Sequence, residues 1–122
     1  MEPPEPAAAV RDAIRHWSRL PELAEFAVLR HGFGDSDGGF GVTYPGDIDE
    51  YDREVDGVRI AEGFVQVYEF WGPPDGYELL VTELVYLTEL AAVLSAKGHE
   101  PEAAQVRMLA EKQSKAEPRY GL

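Results

Sequence analysis

With 122 residues, 44% of them hydrophobic and 11% aromatic, the chain is long and apolar enough to fold around a core without covalent staples. It has no cysteine, which excludes a disulfide framework, thiolate chemistry and Cys-ligated zinc. The net charge of −12 repels phosphate, so neither nucleic acid nor an anionic membrane surface is expected as a partner.

One domain spanning 1–122 is expected, with 1–5 and 116–122 flexible. MEPPEPAAAV carries no basic n-region and no long apolar run, so no secretory signal is expected. No stretch approaches the roughly 20 apolar residues that span a bilayer. A cytoplasmic protein is the expectation.

Pro6 suits a first helical position, and Val10, Ala13, Ile14 and Trp17 recur at helical spacing up to Leu20, with Arg11, Arg15 and Arg19 on another face. Pro21 is expected to close that helix. Phe26, Val28 and Arg30 alternate with Ala27 and Leu29 as a short strand. HGFGDSDGGFG reads as a turn or mobile loop: its glycines lack the lysine of a phosphate loop. Phe40, Val42 and Tyr44 alternate as a strand that Pro45-Gly46 stops.

Next comes YPGDIDEYDREVDG, six carboxylates in residues 44–57. Val55-Asp56-Gly57-Val58 has the two-residue hairpin signature, placing Glu54 opposite Arg59 in a pair worth about 0.2–1 kcal/mol. FVQVYEFW, residues 64–71, is the clearest strand. A turn through Gly72–Gly76 leads into YELLV and sets Trp71 beside Tyr77. Thr82 is placed to cap a helix, with Leu84, Leu87, Ala91 and Leu94 as its stripe and Gly98 as its stop. Pro101 opens a last helix, with Ala103, Val106, Leu109 and Ala110 as its apolar face.

The expected fold class is α+β: an antiparallel sheet of about four to five strands, preceded by one helix and followed by two C-terminal helices packed on the sheet. Val65, Val67 and Trp71 lie on one side of the main strand; Phe64, Tyr68 and Phe70 lie on the other. The N-terminal helix is expected to cover the second side. The alternative is that those aromatics line a ligand groove or an oligomer interface.

Asp52-Arg-Glu54-Val-Asp56-Gly57 imitates the start of a calcium loop, with carboxylates at alternate positions and a bend-forming glycine. The match then breaks: Gly63 sits where the bidentate glutamate belongs, and Val58 and Ile60 alternate as a strand where a helix should follow. Asp52, Glu54 and Asp56 are therefore only the alternative metal set, and no cofactor is expected. His16, His31 and His99 share no ligand spacing, and the serines lack a nucleophile elbow, so no catalytic residue is assigned. His16 is expected to be exposed or partly packed, His31 flexible, and His99 a helix cap.

The acid run keeps two readings. Residues 35–62 hold nine acids against Arg53 and Arg59, and residues 63–96 add five with no base, giving the domain a negative side. Either Asp47, Asp49, Glu50, Tyr51, Asp52 and Glu54 contact a basic protein partner, or they form a solvated edge that discourages strand pairing. Part of the charge is expected to be neutralised by the Arg11, Arg15, Arg19 stripe.

The acidic hairpin, the block FVQVYEFWGPPDGYELLVTELVYL and the small size together resemble bacterial immunity proteins of toxin–immunity systems. No invariant motif is matched, so no family site is carried over. The resemblance implies a cytoplasmic, non-enzymatic protein that neutralises a basic toxin, with the acidic segment as contact surface. A small-ligand or calcium-binding domain is the alternative function, and a monomer or weak homodimer the expected state.

Overall fold

The computed structural model describes residues 5–35, 39–47, 60–69 and 76–116. Helix α1 (Pro6–Arg15) and helix α2 (Leu20–Val28) precede strands β1 (Phe33–Asp35) and β2 (Phe40–Thr43). A 3-10 turn (Pro45–Asp47) follows, then β3 (Phe64–Glu69), β4 (Tyr77–Thr82), α3 (Glu83–Ala96) and α4 (Glu100–Ala116). The four strands form one antiparallel sheet in the order β1-β2-β3-β4. The α+β class holds, with the C-terminal helices packed on the sheet.

Two helices, not one, precede the sheet. Pro21 opens α2 instead of closing α1, because a proline in the first turn sacrifices no intrahelical donor. The expected strand at Phe26–Arg30 is therefore helical up to Val28, and Leu23, Ala24 and Ala27 supply its buried stripe. Alternation over five residues was a weaker signal than this spacing across nine.

HGFGDSDGGFG is also not a loop throughout. Its ends pair as β1 and β2, with Phe33 opposite Val42 and Gly34 opposite Gly41. These glycines admit a close neighbour. A Cβ on Gly34 would stand 2.5 Å from the Tyr68 hydroxyl, and one on Gly41 would meet that hydroxyl and stand 2.6 Å from the Phe33 carbonyl oxygen. Tyr68 thus lies across two bare backbones, a use of strand glycine that composition alone does not reveal.

The remaining register differs in one place. Glu69, not Trp71, faces Tyr77. The hairpin expected at Val55–Val58, with its Glu54–Arg59 pair, lies outside the described residues, as do Phe70 and Trp71.

Helices α1 and α3 pack on one face of the sheet, and α2 and α4 pack on α3. Val65 and Val67 are fully buried in a single core with Val10 and Ile14 of α1, Leu23 of α2, Leu87 and Leu90 of α3, and Val106 of α4. Helix α1 packs on α3 and on the same sheet face, so it does not cover the second face as expected. On that outer face Phe64 and Leu80 are exposed, the latter 52%.

The caps follow the chemistry of the sequence. Thr82 Oγ1 accepts from the Val85 N–H at 3.1 Å and starts α3. At its end Gly98 takes φ 85°, while the His99 N–H donates to the Leu94 carbonyl at 2.8 Å and the Gly98 N–H to Ser95 at 3.0 Å. This is the Schellman pattern.

Candidate functional site

Asp47 is the one predicted contact residue among those described; Asp49, Glu50, Tyr51, Asp52 and Glu54, and the alternative metal residue Asp56, lie outside. Asp47 closes the 3-10 turn and straps two elements together. Its Oδ2 accepts the N–H groups of Tyr44 and Gly32, each at 2.8 Å, and its Oδ1 lies 2.9 Å from His31 Nδ1. A carboxylate can only accept, so Nδ1 carries the proton and the imidazole is held in one orientation. His31 is therefore an anchored side chain, not a flexible one.

Beside this strap, α2 ends as α3 does, with one difference. The His31 N–H donates to the Phe26 carbonyl at 2.9 Å and the Arg30 N–H to Ala27 at 3.1 Å, again the Schellman pattern. The residue in the left-handed position is Arg30, φ 53°, where α3 uses Gly98. An L-residue there costs about 1–2 kcal/mol, so a side-chain role must offset it.

That role is visible. Arg30 Nη2 donates to Glu83 Oε1 and Glu62 Oε2, each at 3.1 Å. The Glu83 side chain is 5% exposed and sits in the first turn of α3, where the dipole also favours a negative charge. The Glu83 N–H donates to Gly63 O at 2.8 Å, tying α3 to the start of β3. Burial works against the Arg30 charge, but bonds and Coulomb attraction from both glutamates outweigh it and raise its pKa.

The guanidinium lies 5.9 Å from the centre of the Tyr44 ring, which meets Tyr86 edge-on at 6.0 Å. Both hydroxyls are buried and neither has a hydrogen-bond partner among the described residues. Burial pushes both phenols up; for Tyr44, nearby Tyr86 and Glu83 add to the shift and Arg30 opposes it. The corner thus anchors both sides of the acid run, Asp47 just before it and Glu62 just after it.

A second carboxylate cluster lies beside α1. Glu69 stands 3.2 Å from His16 Nε2 and accepts the Tyr77 hydroxyl proton at 3.2 Å. Burial and then Glu69 raise the Tyr77 pKa. His16 also meets the Phe40 ring at a 39° tilt, centres 5.0 Å apart.

The basic stripe is fully engaged. Arg11 pairs with Glu89, Arg15 with Asp12 and Arg19 with Glu22, while Arg107 pairs with Glu100. Among the described residues no group of histidines and carboxylates could hold a metal ion, and no helix is long and apolar enough to cross a membrane.

Sequence reasoning missed Arg30, Glu83 and the orienting role of Asp47. Arg30 becomes conspicuous only once α2 is recognised, because then an arginine occupies a position that favours glycine. No protein-family model, curated protein or solved structure matches the chain.

Proposed function

We propose that the chain is a non-enzymatic acidic binding module for a basic protein, acting in the cytoplasm in the manner of a toxin-neutralising immunity protein. The observation that carries this reading is the pairing of every described arginine with a carboxylate. The positive charge of α1 and α2 is consumed locally, so the excess of −12 is left to the other acids. The densest group of these is the run beyond Asp47. Asp47 itself is engaged by three internal donors, which shifts the contact centre to Asp49, Glu50, Tyr51, Asp52 and Glu54.

The test is capture of the partner from an extract of the native host, followed by association kinetics with the purified partner. Charge reversal at Asp49, Glu50, Asp52 and Glu54 together should lower the association rate at low salt at least tenfold, within the range by which steering accelerates encounter. Calorimetry with calcium at physiological ionic strength should show no saturable heat. An association rate indifferent to the reversal would refute this site, and a saturable calcium isotherm would favour the ligand-binding alternative.

A further inference from the structure

A shallow opening of about 830 Å³ lies beside the β1–β2 hairpin. Its volume is within the range of about 300–1,000 Å³ usual for small-molecule sites. We propose that this cleft binds a neutral planar aromatic molecule bearing one hydroxyl or ring N–H, with His31 Nε2 as its hydrogen-bond acceptor. This inference is independent of the acid run.

Three observations carry it. The first is the wall, where the rings of Trp17, Phe26 and Phe33 meet on the helix side of β1. Trp17 meets Phe33 edge-on at 5.3 Å and Phe26 at 6.3 Å, and Phe26 meets the His31 imidazole at 5.7 Å. Such a cluster offers ring faces and edges already fixed in place, which favours a flat ligand at small entropic cost.

The second is the single oriented acceptor. Asp47 fixes Nδ1 as the donor nitrogen, so in the neutral imidazole Nε2 presents a lone pair, and it has no partner among the described residues. The His31 side chain is 62% exposed and lines the opening, so this lone pair is accessible. The indole N–H of Trp17 is already directed at Glu22 Oε1, 3.3 Å away.

The third is charge. A chain of net charge −12 disfavours an anionic ligand. Asp47, the carboxylate in the wall, already uses both oxygens on internal donors and offers a cation little. A neutral ring with one donor is the chemistry that remains.

The test uses p-cresol and toluene as probes, two rings of similar size that differ in the hydroxyl. In the full chain carrying Trp71→Phe, Trp17 is the sole fluorescent indole. p-Cresol should saturate the Trp17 signal and shift the His31 Nε2 resonance in 15N spectra, and toluene should bind at least tenfold more weakly. His31→Phe should bring the two affinities together. If His31→Phe fails to fold, the unsubstituted His31 resonance and the p-cresol to toluene ratio still decide. Equal affinities, an unmoved Nε2 resonance or no saturation up to the solubility limit would each overturn the proposal.

Discussion

Replacing Arg30 by glycine separates the two roles of that residue. The backbone gains: relief of the left-handed penalty of about 1–2 kcal/mol exceeds the extra conformational entropy of glycine, about 0.5–1 kcal/mol. The side chain loses more. Removing one partner of a buried ion pair costs about 3–5 kcal/mol, but two features reduce that here. Arg30 is half exposed, so its charge is screened, and the α3 dipole retains about 0.3–1 kcal/mol of support for Glu83. A cost of about 2 kcal/mol for Glu83 remains, while the pair with Glu62, itself 78% exposed, adds little. Arg30→Gly should therefore be less stable by about 1–1.5 kcal/mol, lowering the urea midpoint by roughly 0.5–1 M. Adding Glu83→Gln removes the stranded charge and should recover about 1 kcal/mol of that loss, since breaking the pair exacts its cost through the charge left behind. An Arg30→Gly variant as stable as the parent would refute the assignment of Arg30 as the counter-charge of Glu83.

The folded-state pKa values of Tyr44 and Tyr86 are raised above the usual phenol value, so their contribution is intact below about pH 10 and lost as pH rises beyond it. The unfolding free energy from urea titrations should fall above pH 10, by up to about 1.4 kcal/mol per pH unit for each tyrosine; a stability unchanged through pH 11 would contradict their burial. Gly34→Ala should lower the melting temperature and Tyr68→Phe should restore most of the loss, because the closest blocking atom is the hydroxyl at the end of a side chain, with the Phe40 carbonyl oxygen farther off at 3.1 Å. Gly41→Ala should resist the same rescue, since its Cβ also meets the Phe33 carbonyl oxygen; no rescue of Gly34→Ala would show that the glycines are not there for Tyr68.

What the sequence disclosed and what it hid divide along physical lines. Strands β3 and β4 and helices α3 and α4 were legible because periodicity, cap and stop agree: Val65 and Val67 alternate inward, Thr82 caps, and Gly98 ends α3. Pro21 was misread because proline marks a helix start as readily as a stop, and Leu23, Ala24 and Ala27 had to arbitrate. Gly34 and Gly41 resembled loop residues because their purpose, room for Tyr68, depends on a strand more than twenty residues away. The site was less legible still. Asp47 was counted with its neighbours as a surface acid, although its oxygens serve the backbone of Tyr44 and Gly32. Glu83 suited a first helical turn, but nothing local tells that Arg30 comes to meet it across 53 positions.

The described acids with internal partners differ from the run that we propose as the contact surface. Glu83 and Glu89 are paired with arginines, and Asp47 and Glu69 are engaged by imidazole, hydroxyl or backbone groups. The run from Asp49 to Asp56 is different for a reason that precedes any fold. Residues two apart in a chain cannot be separated by more than about 7 Å, which is inside the screening length of about 8 Å at physiological salt. Neighbouring members of Asp49, Glu50, Asp52, Glu54 and Asp56 therefore act on an approaching cation in overlapping groups, with Arg53 among them. Such a field acts on encounter more than on the final contact, and it fades as salt shortens the screening length. The molecule thus separates its tasks by position. Paired acids around Arg30 and Asp47 hold the two ends of the run, and the acids between them are the surface we propose for a basic partner.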